Sequence, residues 1–426
     1  MAPNRSTASA GLDVGTSGCK AAVVDHRGGV LARSRIAWPD GCMPADPGTW
    51  GAVAEAALAA ALSRTRRRVD AVAVAGTSGT VLWTAPDGTP LTPAMRYDEP
   101  AAATWAAAIA EHAPAASGAH GAGSGLARGL HLAAAYGVRG PCRLLSQADW
   151  IAGRLCGRFD ATDENNALKL GYDPAARRWP AWLQALPLAE GCLPSAHAPG
   201  TTIGTVRAEA ARATSLAEGC RVAAGTTDSI AGFLATGADE DGEAVTSLGT
   251  TLALKQPTAQ PVFSPAHGVY SHRLGARFLA GGASNCGAGI LAHYFTDEEL
   301  EALTARLDPE RDTGLGYYPL PAPGERFPYA DPDLEPRLEP CPAEPARFLQ
   351  GLMEGVAAVE AEGYRRLQAL GAPPLRRVIT VGGGAANPAW RRIRSRYLGV
   401  PVETAAEDEA AVGAAYLAGR AGAPLA

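Results

Sequence analysis

Apolar and polar positions divide this chain into strand–turn–strand and strand–helix segments. In GLDVGTSGCKAAVV, Gly11 to Val24, two apolar strands flank a hydroxyl-rich turn, Gly15-Thr16-Ser17-Gly18. Side chains alternate at period two, so Leu12 and Val14 share one face of the first strand and Asp13 takes the other. Thr49 to Leu62 is Ala-rich with helical spacing, and VDAVAVAGTSGTVLWT, Val69 to Thr84, reads as two strands around a second glycine-hydroxyl turn, in an α/β style. His112 to Gly129, rich in Ala, Gly, Ser and His, reads as a flexible loop or a loose helix entry. A helical stretch about Ser146 to Leu155 leads into ATDENNALKLGYD, and RVAAGTTDSIAGFLATG, Arg221 to Gly237, gives strand, turn and helix. The acidic loop Asp239-Glu240-Asp241 then marks a boundary.

The second half opens on EAVTSLGTTLALKQ, Glu243 to Gln256, again strand, turn and strand. Gly249-Thr250-Thr251 stands to its strands as Gly15-Thr16-Ser17 stands to those of the first half, a repeat of one hairpin rather than a short-period array. The Pro-rich segment Tyr317 to Pro345 is expected to be an ordered surface excursion. A helix follows from about Ala346 to Leu370, then RRVITVGGGAANPAWRRI as strand, glycines and helix, and EDEAAVGAAYLAG as a closing small-residue helix.

Composition narrows the class. A chain of 426 residues is too long for one ordinary core, which points to two large domains. With 47% hydrophobic and 19% charged residues it should pack as a globular protein. The net charge of −5 is mild, and no basic cluster with interleaved aromatics speaks for nucleic acid. Eight cysteines without a CxxC pair write neither a zinc ribbon nor a disulfide framework and fit a reducing cytoplasm. There is no HExxH, and no apolar run reaches the ~20 residues of a membrane span. The expectation is a soluble cytoplasmic protein.

Four features point at phosphate: the two hairpin turns, the turn Gly382 to Gly384 entering a helix, and Asp228 in GTTDSIAGF. Each has an ordinary alternative. The hairpins use common turn residues; Asp228 is placed to cap a helix; Ser78, Thr80, Asn165, Asn166 and Asn285 are residues that also satisfy backbone groups. A P-loop is absent, as is the GxSxG of a nucleophile elbow. A dinucleotide site at VITVGGGAAN is the main rival, with Asn387 in place of the last glycine and Glu403 near a ribose position, but it leaves both Gly-Thr hairpins and Asp228 unexplained.

Taken in order, GLDVGTSGCKAAVVD, GTTDSIAGF, TSLGTTLALK and VGGGAANPAWRRI resemble the first phosphate hairpin, the catalytic-Asp segment, the second phosphate hairpin and the adenosine turn of the FGGY carbohydrate kinases, in the actin-like ATPase superfamily. AGTSGTVL, QADWIAGRL, DENNALKLGYD, GVYSH, GGASNCG and GERFPYADPD are most similar to a compact branch of ribulose and xylulose kinases. The resemblance implies an α/β fold of two ribonuclease-H-like domains flanking a catalytic cleft. Residues 1–235 would form the sugar-binding catalytic domain, with the terminal helix 409–426 packing back on it, and residues 236–408 the ATP-binding domain.

It also implies roles. Asp228 would be the base and Asp13 would hold Mg²⁺ through water; Ser78, Asp13 and Asp228 would orient the sugar. Thr16, Ser17, Gly18, Gly249, Thr250 and Thr251 would bind phosphate, and Gly383, Gly384 and Asn387 adenosine. Two departures fall near the sugar side: Arg128 stands where the first family signature has Lys, without its following Trp, and Arg96-Tyr97-Asp98 differs from the usual Tyr-Asn of the branch. The implied activity is ATP-dependent phosphorylation of a ketopentose, D-ribulose to D-ribulose 5-phosphate, with D-xylulose as alternative. A non-kinase actin-like ATPase or sugar-responsive binding protein is the other class. Mg²⁺ is the implied cofactor with ATP as co-substrate, and the implied partners are ATP/ADP and a small sugar, with no nucleic acid or membrane, on a monomer or homodimer.

Overall fold

The computed structural model describes residues 7–420. Residues 421–426 of the expected terminal helix, and the first six residues of the chain, lie outside the described residues. The chain divides into two compact units, Met1–Gly237 with Glu407–Ala426, and Ala238–Ala406.

In the first unit, β1 (Thr7–Gly15), β2 (Gly18–Asp25) and β3 (Val30–Ala37) form an antiparallel meander, and α1 (Pro47–Leu62) crosses to β4 (Arg68–Gly76). Asp46 opens α1 by accepting from the Gly48 and Thr49 amides, with Pro47 at the first helical position. The two strands expected over Val69 to Thr84 are present as β4 and, after the turn, Val81–Thr84, but the second leaves this sheet and pairs elsewhere. β5 (Val81–Thr84), α2 (Ala103–His112), α3 (Gly125–Tyr136) and β6 (Arg143–Ser146) build a side core around Trp83, Leu126, Leu130 and Leu144, in which β5 pairs antiparallel with β6. Of the two expectations for His112 to Gly129, a loop or a loose helix entry, the structure has irregular chain up to Ser124 and a helix from Gly125. Ser124 caps the Ala127 amide at 3.1 Å and starts α3, and Leu126 to Leu130 are buried. Small residues hid the helical period there, and tertiary burial decided it.

The unit continues through α4 (Gln147–Cys156), β7 (Ala161–Asp163), α5 (Glu164–Leu168), β8 (Ser195–His197), β9 (Thr202–Thr205) and α6 (Ala208–Thr214) to β10 (Arg221–Thr227) and α7 (Asp228–Ala235). A capping box between Ser146 and Asp149 fixes the start of α4. Among the described residues the main sheet has the order β3-β2-β1-β4-β10-β9, with β1, β4 and β10 parallel. Leu12, Val14, Val72 and Val74 on one face meet Trp50 and Leu58 of α1 and Ile151 and Leu155 of α4.

The second unit repeats this plan. β11 (Glu243–Leu248), β12 (Leu252–Thr258), β13 (Tyr270–Leu274) and β14 (Arg277–Ser284) are antiparallel neighbours; α8 (Asp297–Thr304) and the long α9 (Pro345–Ala369) lead to β15 (Arg377–Val381), α10 (Pro388–Leu398) and β16 (Val402–Thr404). The order is β13-β14-β12-β11-β15-β16, with β11, β15 and β16 parallel. Both sheets contain the 3-2-1-4-5 arrangement of a ribonuclease-H-like domain, an antiparallel meander continued by parallel strands. The Pro-rich segment runs over the surface as expected for Tyr329 to Pro345, but its first part departs from that course. Tyr317, Leu320 and Phe327 enter the core of this unit, and buried Glu325 accepts from Ser284 Oγ at 2.6 Å and from the Asn285 amide at 2.7 Å. Irregular backbone becomes buried only when such acceptors satisfy its donors.

The final helix, α11 (Ala410–Gly419), belongs to the first unit and covers the second face of its sheet. That face is built of small residues, with Ala22, Val24, Ala71, Ala73 and Ala223 against Ala411, Ala415 and Ala418. Close approach requires them: a Cβ on Gly11 would overlap the Ala411 carbonyl and the Ala415 amide. Among the described residues no helix is long and apolar enough to cross a membrane.

Candidate active site

Three parallel strands end together in the first unit, and their carboxyl ends gather the candidate residues. Asp13 of β1 is paired with Ala75 of β4, and Ala75 with Thr226 of β10, two residues before Asp228. Open α/β sheets bind ligands at such carboxyl ends. Asp228 is the first residue of α7, and Thr227, the cap position, makes no side-chain cap bond. This corrects the capping alternative for Asp228, whose Oδ1 accepts from the neighbouring Ser229 amide at 2.6 Å. Thr226 is held in turn by Asn165, whose Nδ2 donates to its Oγ1 at 3.1 Å, and Asp163 caps both Asn165 and Asn166. Burial pushes the Asp163 carboxyl up to about 8, with the charge of Asp149 adding to it.

Ser78 follows β4 in a turn locked by the Thr77–Thr80 hydroxyl pair at 2.7 Å and by Gln147, which accepts from the Thr77 amide at 3.1 Å. Ser78 Oγ itself is buried and has no partner among the described residues. Asp13 is in the same condition: it is 9% exposed and its Oδ1 is buried without a hydrogen bond. Burial first, and then the charge of Asp228, push its carboxyl up to about 7, while Lys20 opposes the shift. A buried carboxylate oxygen without a partner is costly and is relieved by a cation. No group of three or more His, Cys, Asp or Glu side chains able to hold a metal occurs among the described residues. For Mg²⁺, which keeps several waters and takes one or two carboxylates plus phosphate oxygens, the partnerless Asp13 Oδ1 is the observation that bears on a site. The donor set fits the implied ion at Asp13.

The hairpin turn before β2 leaves Thr16 and Ser17 exposed. Trp38 anchors it at both ends, its indole N–H donating to the Gly15 carbonyl at 3.1 Å and its amide to the Ser17 carbonyl at 3.3 Å. Three residues outside the sequence expectation join here. Lys20 stands opposite Asp13, and Arg35 opposite Lys20, so all three share one row and one face of the sheet. Arg35 Nη2 donates to Ser17 Oγ at 3.2 Å, placing a cation against the turn. Glu409, just before α11, lies 3.8 Å from Lys20 Nζ. The two-residue turn between Gly15 and Gly18 already fixes the pairing of Asp13 with Lys20, so that cation was readable from register; Glu409 was not.

In the second unit the hairpin turn Gly249, Thr250 and Thr251 is braced from behind. The Ala288 and Gly289 amides donate to the Gly249 and Thr250 carbonyls at 2.7 and 3.3 Å, and Thr250 and Thr251 remain exposed. Gly382 to Gly384 lie beside it, because β11 and β15 are parallel and Ser247 pairs with Val381. A Cβ on Gly384 would meet Leu248 Cγ at 2.6 Å, whereas one on Gly383 would face open space. Asn387 is committed locally: its Oδ1 accepts from the Ala389 and Trp390 amides, both at 3.0 Å, and its Nδ2 donates to Thr304 of α8.

Residues 244–422 match the model of the C-terminal domain of the FGGY family of carbohydrate kinases. The xylulose kinase of Escherichia coli (strain K12) is 26% identical over 287 residues, 65% of this chain and 59% of that protein. The autoinducer-2 kinase of Yersinia enterocolitica is 27% identical over 298 residues, 64% of this chain and 56% of that protein. The matched stretch thus spans less than two thirds of these curated relatives. The crystal structure of xylulose kinase from Rhodospirillum rubrum superimposes with a TM-score of 0.81 at 24% identity, covering 96% of this chain and 89% of that one, a likeness of fold. Domain match, relatives and the repeated sheet topology point the same way: residues 244–422 match the C-terminal domain of the FGGY family of carbohydrate kinases, and the chain as a whole is similar to sugar kinases of that kind.

Proposed function

We propose that this protein is an ATP-dependent sugar kinase acting on a ketopentose hydroxyl, with D-ribulose as preferred acceptor. The observation that carries the reading is the gathering of Asp13, Ser78 and Asp228 at the carboxyl ends of β1, β4 and β10, with a partnerless buried oxygen on Asp13 and on Ser78. Phosphoryl transfer is catalysed by positioning and charge stabilisation, and these groups supply both. Asp228 accepts the proton of the sugar hydroxyl as its oxygen attacks the γ-phosphorus; Ser78 and Asp13 orient that sugar. Backbone N–H groups around Thr16, Ser17 and Gly18, and around Gly249, Thr250 and Thr251, hold phosphate oxygens. Gly383 and Gly384 border the adenosine, and Asn387 contributes by fixing the start of α10. Mg²⁺, when bound at Asp13, neutralises phosphate charge.

Asp13→Ala is therefore expected to weaken MgATP binding and to flatten the dependence of rate on Mg²⁺, since the lost carboxylate serves the metal rather than the proton. Titration of MgATP affinity and turnover checks this; if both are unchanged, Asp13 is a structural turn residue.

A D-xylulose reading is favoured by the names of the Escherichia coli and Rhodospirillum rubrum relatives. The two ketoses are epimers, and one misdirected hydroxyl costs only ~1–3 kcal/mol when the polar group it abandons keeps some water. The experiment is kcat/KM for D-ribulose, D-xylulose and glycerol, with the sugar-free ATPase rate, on one preparation. D-ribulose is expected to give the highest value and glycerol a poor one. A higher value for D-xylulose or glycerol rejects the ribulose assignment and keeps the kinase; a sugar-free rate equal to the sugar-stimulated rate replaces the kinase by an ATPase.

A further inference from the structure

We propose that Arg128 is a positioning residue that ties three separate loops of the first unit into one rim, and through them sets where Ser78 and Tyr97 stand relative to Asp228. Arg128 lies in the second turn of α3 and is 2% exposed. Its Nε donates to the Glu99 carbonyl at 2.7 Å, its Nη1 to the carbonyls of Gly79 at 2.9 Å and Gly123 at 2.7 Å, and its Nη2 to the Tyr97 carbonyl. Among the described residues no carboxylate forms an ion pair with it. Its hydrogen bonds all go to carbonyl oxygens, while the charges of Asp98 and Glu99 add at longer range, and taking such a cation out of water is an expensive way to fill volume that an apolar side chain would fill for less. Its return is geometric, because only the planar five-donor fork of arginine reaches carbonyls in several directions at once.

The joined segments are the turn after β4, residues 97–99, and the turn before α3. They are cross-tied elsewhere: the Tyr97 amide donates to Thr80 Oγ1 at 3.0 Å and the Ala101 amide to the Ala122 carbonyl at 3.0 Å. Gly79 is shaped for the contact, with φ +84° and a would-be Cβ only 2.8 Å from Arg128 Nη1. The residue before it is Ser78, with its partnerless buried Oγ. Tyr97 is 42% exposed, and its phenol is pushed up by burial first and then by the charges of Asp98 and Asp228. One guanidinium thus fixes the backbone at Tyr97 and at Gly79, the residue next to Ser78. The consequence for catalysis rests on the sugar-kinase reading; the tie itself does not.

The test compares wild type with Arg128→Lys and Arg128→Met by hydrogen exchange and by kinetics. Exchange is expected to rise ~10-fold or more in residues 77–80, 95–101 and 120–124, with the amides of β1, β4 and β10 unchanged, as for opening of a local unit. The ketose KM is expected to rise ~10-fold in Arg128→Met and less in Arg128→Lys, with kcat within ~3-fold and MgATP affinity unchanged, the signature of lost ground-state positioning. Unchanged exchange in the three segments overturns the proposal. So does a uniform rise across the unit, a fall in kcat alone, or failure of both variants to fold, since each makes Arg128 a core residue only. If wild type phosphorylates no sugar, the kinase reading fails, and the exchange pattern alone decides whether Arg128 ties the loops.

Discussion

Asp228→Asn is expected to lower kcat by ~10²–10⁴, the span of losing a positioned general base, while fold and MgATP affinity stay near wild type. The substitution is close to isosteric, and an amide oxygen still accepts from the Ser229 amide that Asp228 Oδ1 now binds at 2.6 Å. What it removes is the ability to take a proton. Asp228 opens α7, so the charge lost there forfeits a favourable interaction with the helix N-terminus of about 0.3–1 kcal/mol, too little to unfold the unit. Turnover on the best sugar, thermal unfolding and MgATP titration on the same preparation separate the two effects. Near wild-type turnover would end the role assigned to Asp228, and a large fall in melting temperature would return it to the structural class.

Local rules carried the sequence reading where they were strong, and tertiary contact overrode it where they were weak. Alternation put Asp13 on the face opposite Leu12 and Val14, and the structure packs those two against α1 and α4 while Asp13 lies on the side that Gly11 presents to α11. The echo between the Gly15 and Gly249 hairpins reflects two sheets of one topology. Asn387-Pro388 was also a readable signal, since Asn at the cap with Pro at the first helical position starts α10. Three things were not readable. β5 shows a strand pattern, yet its partner β6 is about 60 residues away, and loop closure of that length leaves no local mark. Phe327 sits in a Pro-rich stretch with no period, so only the packed core reveals it as buried. Arg128 lies in a segment poor in hydrophobic signal, and its four carbonyl partners come from three loops whose approach no spacing encodes.

The second large effect is one of stability, in the unit Ala238–Ala406. Arg394 of α10 and Glu360 of α9 form a fully buried two-pronged pair, 1% and 0% exposed, at 2.6 and 2.7 Å. The pair is joined to the sheet at two points: Thr246 of β11 donates to Glu360 Oε1 at 2.5 Å, and Arg394 Nη1 donates to Thr380 of β15 at 2.8 Å. It therefore connects both helices to the two parallel strands whose ends carry the Gly249 and Gly382 turns. Removing one partner strands a buried charge, so Arg394→Met is expected to cost about 3–5 kcal/mol, a large share of the stability of any domain. Replacing both, as Glu360→Leu with Arg394→Met, is expected to recover most of that loss, because two apolar side chains leave no ion behind. Recovery should stop short of complete, as Thr380 Oγ1 loses its donor while Thr246 keeps the Tyr364 hydroxyl at 2.8 Å. Native-state hydrogen exchange of β11 and β15, which reads this unit apart from the other, measures all three variants. A cost below about 1 kcal/mol for Arg394→Met would mean that water reaches the stranded carboxylate, and a double variant worse than the single would mean that the ion pair, rather than packing, holds α9 and α10 on the sheet.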